Sequence, residues 1–270
     1  MPRYALAVEF DGRAFNGSQV QAPGLRTVQG VLSQAAATLA GISPAISGDS
    51  APLVRPASRL DAEVSAAWLP CDVDLERTWA PAALAGALGG HLPPDVSVIA
   101  AAAVPDRFHA QHDAVAKTYR FSVIVRAARP TLDARAWWVR RMDSPEKLDE
   151  MAAAIIGRRD LSGFAGLRHD GTDQDDPVRT ISAAAWTREA IPHGLRLTFT
   201  VTGDGFLYKQ IRGLVGAMVF VAQGRRTVAD FHAAIANGRD AVRVGNIAPP
   251  TGLVLARVTY DPEPEWESPP

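Results

Sequence analysis

Arg3 to Phe10 alternates apolar and polar positions closely enough to predict a strand, because successive side chains of an extended chain point to opposite faces. The period then changes. Thr27 to Ala40 carries its apolar residues at helical spacing and predicts an amphipathic helix, after which Ile42 to Pro56 is small, Pro/Ser-rich and predicts a loop. Val64 to Val73 and Val96 to Val104 are strand candidates. Between them an Ala/Leu-rich helix is expected from Pro81 to about Leu88, with Pro81 suited to a first helical turn where its missing N–H costs nothing.

Beyond Thr118 to Val125 and Arg135 to Val139, two more strand candidates, the mixture repeats. Ser144-Pro145-Glu146-Lys147 resembles a helix start ahead of Leu148 to Ile156. Arg168 to Asp176 is polar and predicts a mobile loop, whereas Thr180 to Thr187 and Leu195 to Thr202 alternate like paired strands. Phe206 to Gln223 reads as one long helix, and Thr227-Val228-Ala229-Asp230 as a capping box with Asp in place of the usual Glu. The Glu/Pro-rich end after Asp261 predicts fraying. Strands and helices interleave throughout with no glycine fingerprint for a nucleotide, so the expected class is α+β.

Composition narrows the possibilities. At 270 residues and 47% hydrophobic, the chain can bury a substantial core as one large domain or two fused halves. No apolar run reaches the roughly 18 residues of a membrane span. Met1-Pro2-Arg3-Tyr4 lacks the long apolar stretch of a signal peptide, and cytoplasm is the expected compartment. Cys71 is the single cysteine, which excludes an intrachain disulfide and a cysteine-based metal site.

The net charge is −1, a mild argument against a large nucleic-acid footprint, since phosphate contacts supply most of such affinity. A local footprint remains open at two clusters: Arg107, His109, His112, Lys117 and Arg120, and Arg135, Arg140 and Arg141. Solvated surface charge accounts for them equally well. His109 and His112 lack further ligands nearby, and Asp170, Asp173, Asp175 and Asp176 lack the spaced Glu and Gly of a calcium loop; no metal is expected.

The candidate chemistry lies in Ser58-Arg59-Leu60-Asp61-Ala62, between two β-rich stretches. On an extended backbone, Arg59 and Asp61 would share one side, either as a nucleophile with a helper or as a plain surface ion pair. Spacing alone favours the ion pair, and the neighbouring motifs change the balance. Phe10-Asp11-Gly12-Arg13-Ala14-Phe15-Asn16-Gly17-Ser18-Gln19-Val20-Gln21, Thr27-Val28-Gln29 and Ser58 to Ala66 follow one another. Phe108-His109-Ala110, Lys117-Thr118-Tyr119-Arg120-Phe121, Pro177 to Ile181, Gly205 to Arg212 and Ala248-Pro249-Pro250-Thr251-Gly252-Leu253 come next. Together and in this order they resemble the TruA-type tRNA pseudouridine synthases along nearly the whole chain.

That resemblance implies two similar α/β halves whose antiparallel sheets join into one around a central cleft, taken as 1–105 and 106–262, with 263–270 a flexible tail. It also implies a homodimer, no cofactor, and tRNA as the partner, with a uridine of the anticodon stem-loop isomerised to pseudouridine. Asp61 corresponds to the catalytic carboxylate, acting as nucleophile at the anomeric carbon or as the base that takes a sugar proton to give a glycal. A carboxylate in a closed cleft needs a cation to stay ionised, a role the resemblance assigns to Arg212. Tyr119 corresponds to the aromatic that stacks on the target base and whose phenol helps move the C5 proton. Arg59 corresponds to the arginine that helps extrude the nucleotide. Phe108, Lys117 and Phe206 are carried over as substrate-binding residues.

Six positions depart from the family pattern. Leu60 stands where the family has Thr, Glu63 where it has Gly, Ser65 where it has His, Ser18 where it has Trp, and Val20 and Gln111 where it has Arg. The departures gather around substrate contacts while Asp61, Tyr119 and Arg212 match. Glu63 also adds a negative charge that would repel phosphate. Two alternatives therefore stand beside tRNA: another RNA or a free uridine nucleotide as substrate, and a non-catalytic RNA-binding relative.

Overall fold

The computed structural model describes residues 1–42, 52–167 and 176–270. Most of the loop expected from Ile42 to Pro56 and of that from Arg168 to Asp176, including Asp170, Asp173 and Asp175, lies outside the described residues. Ten strands and five α-helices mix along the described chain, as an α+β reading requires. Their contacts divide them into two units, one of Met1–Val115 with Val254–Pro270 and one of Ala116–Leu253.

In the first unit, β1 (Arg3–Phe10) pairs antiparallel with both β3 (Ser65–Asp74) and β4 (Val96–Val104). Flanked on both edges, β1 buries every residue from Tyr4 to Val8, so small Ala5 and Ala7 fill one face and larger residues the other. The two-residue β2 (Arg55–Pro56) pairs with β3, and β10 (Leu253–Tyr260) joins β3 in parallel at Val254 and Leu255. Helix α1 (Val28–Leu39) starts where Thr27 accepts a hydrogen bond from the Gly30 amide, and α2 (Pro81–Gly89) begins on the predicted proline.

The chain end shows how packing overrides composition. Glu267 forms a backbone bridge with Ala101 on β4, with hydrogen bonds of 2.8 and 2.9 Å, and Trp266 meets Trp68 edge-on at 5.3 Å. An indole offers more buried area than a Glu/Pro-rich stretch suggests, which is enough to hold the segment expected to fray.

In the second unit, β5 (Ala114–Val125) pairs with β9 (Gly194–Gly203), β9 with β8 (Val178–Ile191), and β8 with the short β7 (Gly157–Asp160), all antiparallel. The three-residue β6 (Trp137–Val139) lies parallel to β5. Helix α3 (Lys147–Ala154) lacks a side-chain cap, so the Ser-Pro-Glu start supplies no Ser cap. Helix α5 (Val228–Asn237) carries the capping box as predicted, Thr227 and Asp230 satisfying each other's amides.

The long helix expected from Phe206 is shorter: α4 runs Gln210–Ala222. Lys209 sits at φ +56°, a left-handed conformation that an α-helix cannot contain, so Phe206 and Leu207 lie outside it and Tyr208 and Lys209 form a turn before it. Strands β2, β7 and β10 escaped the sequence reading: β2 is a two-residue strand at the end of the expected Ile42 to Pro56 loop, and in β7 four residues with two arginines carry no alternation signal.

Candidate active site

Asp61 lies in the loop between β2 and β3, at the edge of a turn in which the Val64 amide bonds the Asp61 carbonyl at 3.2 Å. This corrects the strand-based pairing of Arg59 with Asp61: the segment is irregular, Arg59 is exposed and Asp61 half-buried, so the two-residue period does not apply. Glu63, in the same turn, takes φ +66°, and its amide donates to the Phe15 carbonyl at 3.2 Å. A side chain at such a φ is costly; glycine is the residue that adopts it freely.

The opening segment from Asp11 to Ser18 cradles this loop. Gly12 donates its amide to the Ser65 hydroxyl at 3.0 Å, and a Cβ on Gly12 would strike the Val64 carbonyl, so only glycine admits this approach. Ser18 is fully buried, and its amide donates to the Leu60 carbonyl at 3.1 Å. The Ser18 hydroxyl donates to the Ser58 carbonyl at 3.1 Å and accepts the Leu60 amide at 2.8 Å. Ser18, Leu60 and Ser65 are all buried. Three departures first assigned to the substrate-contacting surface therefore belong to the packing beneath the loop. Spacing could not reveal this, because a buried serine and an exposed one look alike in sequence.

Phe108 stacks at a tilt on Tyr260, 5.2 Å between ring centres, and its carbonyl accepts Arg3 Nη1 at 2.8 Å. Arg3 also grips Asp74 with two hydrogen bonds of 2.7 and 3.0 Å. Arg55 bridges Asp74 to the fully buried Asp72, whose other oxygen accepts the Ala110 amide at 2.9 Å. The Tyr260 hydroxyl closes the network on the Ala110 carbonyl at 2.7 Å. The Arg3 guanidinium, with Arg55 beside it, holds the Asp74 carboxyl below the usual carboxylate range, while burial pushes the Tyr260 phenol up. A polar network thus fixes the backbone around Phe108.

His109 and His112 stack at 4.2 Å, and His109 Nδ1 accepts the Gln111 and His112 amides at 3.1 and 3.3 Å. Among the described residues no group of three or more His, Cys, Asp or Glu is placed to hold a metal.

In the second unit, Lys117 and Tyr119 stand two apart on β5 and so share a face. Tyr119 is buried and meets Phe206 edge-on at 5.3 Å, forming an aromatic corner. Burial pushes the Lys117 ammonium below the usual lysine range. Phe206 stands just before the turn that leads through Lys209 into α4.

Arg212 and Phe220 are the two α4 residues that are not buried. Gly213 beside Arg212 lets the helix approach the turn at Ser162–Phe164 so closely that a Cβ would collide with the Phe164 carbonyl. Arg212 Nε donates to the Ala248 carbonyl at 2.8 Å, and the Ala248 amide returns a bond to the Arg212 carbonyl at 3.0 Å. The Ala248 to Leu253 motif, quoted in the sequence without a role, thus orients Arg212.

The sequence-selected residues therefore fall into groups: Arg59 and Asp61 on a pinned loop and Phe108 on a polar network in the first unit, Lys117, Tyr119, Phe206 and Arg212 on β5, its aromatic corner and α4 in the second. An open groove of about 490 Å³ in the second unit, lined by Arg158, Arg159 and His232 among others, contains none of them. Among the described residues no helix is long and apolar enough to cross a membrane.

Comparison with known proteins bears on these groups. A family profile described as tRNA pseudouridine synthase matches residues 151–261. The tRNA pseudouridine synthases A of Afipia carboxidovorans and Rhodospirillum rubrum are each 36% identical to the chain, over 96% and 97% of it and 100% and 89% of their own lengths. That of one Cereibacter sphaeroides strain is 35% identical over 98% of the chain and 99% of its own length. Among solved structures, a chain of a Cbf5–Nop10–Gar1 complex is similar at a TM-score of 0.35 and 11% identity, over 96% of this chain and 59% of that one, too slight a likeness to carry an argument.

Proposed function

The chain belongs to the tRNA pseudouridine synthase A family, and on that premise we propose that it isomerises uridine to pseudouridine in tRNA, in the anticodon stem-loop. The observation that carries this reading is the match to these relatives from end to end, which spans both the Asp61 loop and the Arg212 helix.

The reaction breaks the N1–C1′ glycosidic bond, turns the base and forms a C5–C1′ bond to the same sugar carbon; the proton lost from C5 is balanced by one gained at N1. Asp61 supplies the carboxylate, either adding to C1′ or taking a sugar proton to give a glycal. Tyr119 stacks on the base, with Phe206 buttressing its ring, and Arg212 supplies a cation oriented by Ala248. Arg59, exposed on the loop, occupies the space that the extruded nucleotide leaves. Phe108 and Lys117 line the substrate's approach. The protein works as a homodimer in the cytoplasm, without a cofactor.

Transcribed tRNAs and, separately, uridine and its phosphates are incubated with the protein and with Asp61→Ala, and pseudouridine is scored by mass-resolved nucleoside analysis. Product from tRNA with the unaltered protein and none with Asp61→Ala is the expected result. Product from free nucleotide alone overturns tRNA as the substrate, and undiminished product with Asp61→Ala overturns the catalytic carboxylate.

A further inference from the structure

We propose that Ser18 is a positioning residue for catalysis, holding the Arg59–Asp61 segment in its working shape from beneath; the proposal rests on the reading of Asp61 as the catalytic carboxylate. Ser18 contacts that segment at both ends. Its amide and hydroxyl engage the Leu60 carbonyl and amide, and the hydroxyl also donates to the Ser58 carbonyl. Arg59 is thus bracketed on either side, and the last fixed peptide is the one that leads into Asp61.

Chemistry makes serine suited to this place. One hydroxyl donates a single proton and accepts on its lone pairs, and here it does both within a fully buried pocket. An alanine would take from the Leu60 amide and the Ser58 carbonyl the hydrogen bond that Ser18 supplies to each, within a pocket where water does not reach. Ser18 is itself anchored, since the Gln29 amide on α1 donates to its carbonyl at 2.9 Å. The loop is therefore referenced to a helix rather than to its own flexible backbone.

The effect belongs in the chemical step. A carboxylate displaced by about 1 Å loses reactivity steeply, on the order of 100-fold, whereas contacts to distant parts of an RNA do not depend on it. Ser18 touches no reacting atom and acts only through the loop.

The test compares Ser18→Ala, Ser18→Cys and Ser18→Thr with the unaltered protein and Asp61→Ala, on transcribed tRNA. It reads kcat and KM separately, together with thermal unfolding and hydrogen exchange at the Leu60 amide. Expected for Ser18→Ala are a cooperative unfolding transition, a 10- to 100-fold fall in kcat with KM within about 2-fold, and faster Leu60 exchange. Ser18→Cys fills the pocket with a weak hydrogen-bonding group and should behave likewise, and Ser18→Thr, which keeps the hydroxyl, should recover most of kcat. Three results overturn the proposal: kcat of Ser18→Ala within 2-fold of the unaltered protein, a loss confined to KM, or global unfolding of both Ser18→Ala and Ser18→Cys. If Asp61→Ala keeps full activity, the reading of Asp61 fails instead, whatever Ser18 does.

Discussion

The Asp61 loop and the Arg212 helix are held in place by opposite means. The loop is pinned by polar bonds, the Ser18 hydroxyl and the Gly12 to Ser65 hydrogen bond, and at the far end of β3 the Arg3–Asp74–Arg55–Asp72 network fixes the backbone around Phe108 in the same way. The helix is pinned by volume, with nearly every α4 residue buried and Gly213 admitting a neighbouring carbonyl where no side chain fits. A loop has no ladder of its own, so its shape must come from hydrogen bonds. A buried helix satisfies its own backbone, so its position is set by packing. Polar pinning fails when a proton or hydroxyl is removed, and packing fails when a methyl is added.

Four experiments press on that contrast. The largest effect belongs to chemistry: Asp61→Asn should cut pseudouridine formation on the order of 10³-fold or more while the melting temperature holds, because the bonds Ser18 makes to the loop go to its backbone. Steady-state assay beside thermal unfolding checks it; a fall in activity explained by unfolding would show Asp61 to be a support.

Next is Gly213→Ala, which forces a methyl into the Phe164 carbonyl and should destabilise the protein by about 3 kcal/mol, as overpacking of a tight core does. Gly89→Ala, where a Cβ meets nothing within 4 Å, should stay within about 0.5 kcal/mol by denaturant unfolding. Equal effects would mean that α4 has room to move.

The polar side is read by acid. Asp74 is held below its unfolded-state value of about 3.9, first by its hydrogen bonds from Arg3. Its contribution is complete above that value and is lost as pH falls through the lower folded-state value. Arg3→Gln should therefore flatten the loss of stability below about pH 4, measured by unfolding at stepped pH, and leave the stability difference constant above it. An unchanged acid limb would remove this network from the account.

Smallest is Glu63→Gly. Relief of the positive φ outweighs the entropy that glycine adds to the unfolded chain, and the net gain of somewhat under 1 kcal/mol should raise the melting temperature by about 2 °C. A lower melting temperature would mean that the Glu63 side chain contributes more than its backbone costs.

Much of this protein was legible in its sequence. Most strands and helices answer to local periodicity, and the α5 capping box is visible within four residues because its partners are adjacent. The order of the motifs is written in the chain, and with it the family. Tertiary structure alone decided the rest, since it turns on residues far apart along the chain. Ser18 serves Leu60 across 42 positions, Ala248 orients Arg212 across 36, and Arg3 reaches the Phe108 carbonyl across 105. It started the long helix late, after Lys209, whose left-handed backbone no hydrophobic period encodes. It also turned serines read as lost RNA contacts into buried supports, because burial depends on what folds over a residue and not on which residue it is.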